Sequence, residues 1–179
     1  NQMKRVEGFK WEFNLVEDPT VNAWCMPGGK VVFYTGIMPI CEDETRLAVV
    51  MGHEIAHAVA RHGNERMSQG VLINGGGVAL DVLTSENPGL TRDILLQSYG
   101  IGSALGSLAY SRNHESEADK LGMVFMAMSG YDPREAAEFW TRMSELGGES
   151  PPELLSTHPS NERRIEDINE FLPEALQYY

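Results

Sequence analysis

Residues 51 to 58 read Met-Gly-His-Glu-Ile-Ala-His-Ala, and this H-E-x-x-H within an Ala- and Val-rich run constrains the chain more than any other stretch. The run is expected to be a helix over about 43–68, opened by Glu42-Asp43-Glu44, whose negative charge suits a helix N-terminus. Leu47, Val50, Met51, Ile55 and Ala58 mark its buried side. On such a helix His53 and His57, four residues apart, stand one turn above the other on one face. Their imidazoles can then converge on one metal ion. Glu54 is turned away by about 100°. It lies beside the ion, where a base must stand to take a proton from a metal-activated water.

A catalytic zinc takes three protein ligands and keeps one position open. The elongated H-E-x-x-H-x-x-G-x-x-H is absent, because position 60 is Ala and position 63 is Gly. The third ligand is therefore expected to be a downstream carboxylate. Glu115 and Asp119, four residues apart, share one face of a helix expected over about 111–129. There Glu115 could reach the metal while Asp119 accepts the outward N–H of a ligating imidazole. Glu117 points the other way. An acidic cluster at a helix start serves equally well to offset the helix dipole on a solvated face, and spacing alone leaves both readings open. His62, five residues past His57, is expected at the surface.

The remaining sequence suits one compact domain of 179 residues. Fourteen basic against twenty-six acidic residues give a net charge of −12. That argues against a nucleic-acid partner and against simple electrostatic docking on an anionic membrane. Residues 9–16 alternate apolar and polar, as a strand with one buried face does, 20–26 and 30–35 follow as further strands, and Pro27-Gly28-Gly29 turns the chain between them. A small N-terminal antiparallel sheet is expected, with an edge that could hold an extended peptide. Residues 70–110 are expected to form two loosely amphipathic helices, about 71–83 and 91–106, as a hairpin or lid. No charge occurs from Ile94 to Ser111, yet Gln97, Ser98, Gly100, Gly102, Ser103, Gly106 and Ser107 argue against a membrane span. Peripheral membrane contact there is the lesser alternative. Further helices are expected at about 133–146 and 160–171. Cys25 and Cys41 lack C-x-x-C spacing and read as two small, partly buried thiols, with a disulfide the alternative in an oxidising compartment. The Asn1 start suggests a mature or trimmed chain from which an export signal could have been removed.

His53-Glu54-x-x-His57, then Ser111-Arg112-x-x-Glu115-x-x-Ala118-Asp119, then Thr157-His158-Pro159 together resemble the zinc metallopeptidase family of HtpX, the CAAX prenyl proteases and the mitochondrial Oma proteases. The likeness covers about residues 20–170 and is closest to the soluble bacterial envelope branch (BepA- and LoiP-like), whose strand and turn Val21-Asn22-Ala23-Trp24 to Pro27-Gly28-Gly29 resemble. It implies an α+β, mainly helical, zincin-like domain with the small sheet packed on the active-site helix. It further implies that His53, His57 and Glu115 bind one zinc per chain and that Glu54 is the catalytic base. Asp119 falls on the family's supporting Asp, His158 on its His-Pro segment, and Arg164 on an Arg near the site, although Arg163 beside it could take that place.

The resemblance thus implies an endopeptidase acting on unfolded or misassembled polypeptides, outer-membrane proteins among them, in the bacterial cell envelope, periplasmic or membrane-associated. His158 would either stabilise the oxyanion or swing onto the zinc and block it. The rival is a latent or non-catalytic zinc-containing chaperone or adaptor in which His158 closes the metal site.

Overall fold

The computed structural model describes residues 6–85, 89–146, 154–155, 158 and 162–179. The chain divides into two compact units, residues 1–61 with 115–179, and residues 62–114.

The first unit opens with strands β1 (Glu12–Val16), β2 (Ala23–Met26) and β3 (Lys30–Tyr34), ordered β1-β3-β2. β2 and β3 form the expected antiparallel hairpin. Its turn uses Gly28 and Gly29 at φ of +96° and +97°, a region that costs glycine nothing. β1 departs from expectation and runs parallel to β3, pairing Glu12 with Lys30 through to Val16 with Tyr34. The cause is a clasp in the loop after β1. The Asp18 N–H donates to Thr35 Oγ1 at 3.1 Å, the Thr35 hydroxyl donates back to the Asp18 carbonyl at 3.0 Å, and the Gly36 N–H donates to the same carbonyl at 2.9 Å. The end of β1 is thereby tied to the end of β3, so the two strands point the same way. Nor does β1 have the expected buried face: all five of its residues are exposed. A period of two separates the faces of a strand without supplying a layer to cover either, and says nothing of the direction of its neighbour.

A short helix α1 (Met38–Cys41) leads into α2 (Glu44–Ala60). Asp43 caps α2, its carboxylate accepting from the Arg46 N–H at 2.9 Å, which satisfies one of the orphan donors of the first turn. The helix stops eight residues before the expected 68, at Arg61, whose left-handed φ of +64° closes it. No Gly or Pro marks that stop, so the local pattern reads straight through it. Helices α4 (Leu90–Met128), α5 (Glu135–Glu145) and α6 (Glu162–Ala175) follow. Residues of α4 from Glu115 onward pack with α2, α5, α6 and the sheet around Val31, Phe33, Val50, Met123, Phe139 and Trp140. The result is the expected α+β, mainly helical architecture. β2 packs on α2, and this contact carries the sheet to the H-E-x-x-H.

The second unit is a hairpin of α3 (His62–Thr84) and the part of α4 up to His114. The expected helices at 71–83, 91–106 and from 111 are instead two longer ones. Gly75-Gly76-Gly77 lies inside α3 and Gly100, Gly102 and Gly106 inside α4, because glycine weakens a helix without stopping it. Gly76 has a packing reason: a Cβ there would meet the Tyr99 hydroxyl, which donates to the Ile73 carbonyl at 2.8 Å. Gly76, Gly77, Tyr99 and Ser103 are half-buried together with Ile73, Leu80 and Leu96, while Val71, Leu72, Val78, Leu83, Ile101 and Leu105 are exposed. His62, expected at the surface, is buried, its ring stacked on that of His114 at 4.1 Å. His114 in turn bonds Glu65 at 2.8 Å.

Candidate metal centre

α2 and the second part of α4 bring the candidate ligands face to face because two glycines let their backbones touch. A Cβ on Gly52 would lie 2.7 Å from the Gly122 carbonyl oxygen, and a Cβ on Gly122 would lie 2.8 Å from the His53 nitrogen. Both glycines sit on the helices that carry candidate ligands, where propensity alone disfavours them. A glycine on each of two ligand-bearing helices is the sequence signal of such a crossing.

Across this crossing, ligand atoms of His53, His57, Glu115 and His158 all lie within 4.8 Å of one another. His57 Nε2 is 3.0 Å from His53 Nε2. Glu115 Oε2 is 3.3 Å from His53 Nε2, and Glu115 Oε1 is 3.5 Å from His57 Nε2. His158 enters from the C-terminal segment, with Nδ1 at 3.1 Å from His53 Nε2 and 2.9 Å from Glu115 Oε2. Thr157 and Pro159, which flank it in the motif, lie outside the described residues.

Glu54 is buried beside this cluster, its Oε1 at 3.4 Å from His158 Nε2. The backbone of Cys25 in β2 hydrogen-bonds its carboxylate, which ties the edge strand to the base. Behind His53, Asp119 Oδ1 lies 2.9 Å from Nδ1 and holds the ring with Nε2 toward the cluster. Arg164 grips both oxygens of Asp119, Nε to Oδ2 and Nη2 to Oδ1, each at 2.7 Å. Its Nη1 donates to the His158 carbonyl at 3.1 Å. Arg163, the alternative, is exposed. All seven residues expected at the site are therefore brought together, with Arg164 rather than Arg163 at its base. Glu117, as expected, is not among them.

The electrostatics follow from burial set against partners. Burial would lower the pKa of His53, but its hydrogen bonds to the Asp119 and Glu115 carboxylates outweigh it and hold it at about 9. Burial lowers His57 to about 3. Burial works to raise both Glu115 and Asp119, yet His158, His53 and His57 hold the first below the carboxylate range and Arg164 with His53 the second. Burial pushes Glu54 upward. Cys25 and Cys41 are both free, and burial pushes each thiol to about 12.

The donor set itself fits a metal. Glu115 Oε1 and Glu54 Oε1 are buried without a hydrogen-bond partner, and a buried acceptor left so costs about 1–3 kcal/mol. His53 Nε2, His57 Nε2 and the Glu115 carboxylate face one another at 3.0–3.5 Å, donor atoms that one cation in their midst would satisfy together. Two imidazoles and a carboxylate are the ligands of a catalytic zinc, and one such set exists among the described residues. His158 stands where the fourth position would be.

A family model described as peptidase family M48 matches residues 2–172. "Mitochondrial metalloendopeptidase OMA1" of Saccharomyces cerevisiae is 36% identical over 182 residues, covering 97% of this chain and 50% of that protein. The protein of the same name from Schizosaccharomyces pombe is 39% identical over 170 residues, 93% of this chain and 48% of that one. "Beta-barrel assembly-enhancing protease" of Escherichia coli is 28% identical over 179 residues, 93% of this chain and 36% of that one. The chain thus spans half or less of the length of these relatives. The expected location, a bacterial cell envelope or periplasm, is overturned, since the relatives at 36% and 39% are named as mitochondrial.

Proposed function

The chain belongs to peptidase family M48, and from that premise we propose that it is a zinc-dependent endopeptidase acting on unfolded or misassembled polypeptides. In this reading His53, His57 and Glu115 hold one zinc, and Glu54 is the base. The observation that carries it is the convergence of those three ligands beside a buried Glu54 whose Oε1 accepts no hydrogen bond. When bound, the zinc supplies Lewis acidity to water and to the scissile carbonyl. Glu54 takes the proton of the attacking water and passes it to the leaving amine. Asp119 keeps the His53 ring oriented, and Arg164 keeps Asp119 ionised. The substrate backbone adds along the outer edge of β2, which is bonded on its other side only to β3. Outer-membrane proteins as substrates rested on the envelope location and leave the reading with it. The decisive experiment compares casein hydrolysis and zinc content in the wild type and Glu54→Gln.

The position of His158 supports a second, latent state of the same enzyme. Its Nδ1 lies among the ligand atoms, its backbone N–H donates to the Leu154 carbonyl at 2.8 Å, and the Leu154 N–H donates to the carbonyl of Val21, two residues before β2, at 3.1 Å. His158→Ala is expected to raise basal casein hydrolysis by about tenfold, equivalent to a cap worth about 1.4 kcal/mol. A fall would assign His158 to oxyanion stabilisation and remove the latent state.

The hairpin supports peripheral contact with a lipid surface. No described helix is long and apolar enough to cross a membrane. Residues 67–80 and 94–111 nevertheless carry no charge, and Val71, Leu72, Val78, Ile101, Leu105 and Leu108 of this band are exposed. The band is bounded by the Arg92–Asp81 ion pair at one end and His114–Glu65 at the other. Glycines packed against the facing helix, as Gly76 and Gly77 are against Tyr99, with aliphatic side chains outside, resemble the packing of helices in lipid. The full chain is expected to float with phosphatidylcholine vesicles, and Ile101→Glu with Leu105→Glu to abolish flotation. A wild type that stays at the bottom of the gradient removes the contact.

A further inference from the structure

Trp140 does not enter the sequence motifs, yet it is the largest fully buried side chain of the fold and lies directly against the metal-site supports. It projects from α5, a helix that contributes no ligand. The Arg164 guanidinium lies over its ring, the central carbon 3.6 Å from the ring centroid. The His53 imidazole meets it edge-on, with centroids 5.2 Å apart and planes at 63°. Phe139 backs it at 5.3 Å. The space left between Trp140, His53 and Asp119 is about 10 Å³, one water at most.

We propose that Trp140 is a positioning residue for zinc binding: its indole fixes the plane of Arg164 and the edge of His53, and so sets the lone pair that His53 turns to the metal. The inference rests on the metallopeptidase reading above. A guanidinium donates only in its own plane, so its faces must be covered by something that needs no hydrogen bond. An aromatic face does this and adds a cation–π attraction that strengthens when water is excluded. With its face covered, Arg164 delivers Nε and Nη2 in one plane to the two oxygens of Asp119, and Nη1 to the His158 carbonyl. Asp119 passes that orientation to His53 Nδ1 at 2.9 Å. The same indole stops the imidazole from swinging off its axis. An aliphatic side chain would fill much of the volume but leave the charged face of Arg164 desolvated and unmatched.

The test compares wild type, Trp140→Phe and Trp140→Leu, all as the full chain. Zinc affinity is read by competition with a chromophoric chelator, the cobalt-substituted forms by their visible absorption, and folding by thermal melting of the metal-free proteins. Trp140→Leu is expected to lose 10- to 100-fold in zinc affinity, the scale for supports of ligating histidines, and to shift the cobalt bands. Trp140→Phe, which keeps an aromatic face, should stay within about threefold of wild type, although both variants lose volume. Zinc losses that merely follow the losses in melting temperature would reduce Trp140 to packing and overturn the proposal. Should Trp140→Leu not fold, Arg164→Lys takes its place. Lysine keeps the charge but can neither lie flat nor bridge both Asp119 oxygens, so the same 10- to 100-fold loss is expected, and wild-type affinity sinks the idea. A wild type that binds zinc without cleaving peptides would remove the peptidase reading and leave this inference testable.

Discussion

Glu54→Gln is expected to lower peptide hydrolysis by about 10³-fold, within the range of a general base, while zinc stays at one per chain. Gln is nearly isosteric with Glu, so the packing of α2 survives. What disappears is the ability to accept a proton. Glu54 is suited to that task because it is 3% exposed and its Oε1 has no hydrogen-bond partner. Burial raises its pKa, with His158 and His53 opposing, and a carboxylate shifted that way is a stronger base nearer neutral pH. Casein hydrolysis and atomic absorption on the same preparation check the result. Full activity in the variant would remove Glu54 from the chemistry. Loss of both zinc and activity would instead make it a structural support.

The second large effect concerns a residue with no chemistry of its own. Gly122→Ala is expected to destabilise the protein by about 3 kcal/mol and to weaken zinc binding by about tenfold or more. The new Cβ would stand 2.8 Å from the His53 nitrogen and 2.9 Å from the Gly52 carbonyl carbon, both backbone atoms that no rotamer change can move. Relief requires α4 to back away from α2. Glu115 and Asp119 then recede together from His53 and His57, because all four lie on these two helices. Thermal melting and chelator competition report the two losses, and the melting temperature should fall by about 6–12 °C. Unchanged melting and zinc affinity would mean that the helix crossing is wider than the structure has it. Gly52→Ala tests the same contact from the other side, its Cβ meeting the Gly122 carbonyl at 2.7 Å.

These two positions mark where reading the chain succeeds and where it stops. His53, Glu54 and His57 were legible because their relation is internal to one helix, and helical geometry converts spacing of four into a shared face. Glu115 and Asp119 were legible as a pair for the same reason, and the family likeness, not spacing, joined that pair to the first. The capped start of α2 and the β2–β3 turn were local as well. The stop at Arg61, the unbroken run of α4 past its glycines, the parallel β1 and the buried stack of His62 on His114 were not. The parallel β1 and the buried His62 depend on contacts far along the chain, as the clasp from Asp18 to Thr35 illustrates. The stop at Arg61, by contrast, carries no Gly or Pro, and the glycines of α4 weaken a helix without stopping it.

By itself, then, the sequence determined the chemistry on offer: two imidazoles, a base beside them, a downstream carboxylate pair and two uncharged runs, residues 67–80 and 94–111. Only the tertiary structure decided how these meet. The Gly52–Gly122 contact sets how near Glu115 comes to the histidines. His158, 105 positions from His53, closes the ligand cluster. Trp140 on a ligand-free helix holds Arg164 flat. The physical reason is range: hydrogen bonding along a helix acts over four residues and leaves a periodic trace, whereas close packing acts between whatever surfaces the fold brings together and leaves none.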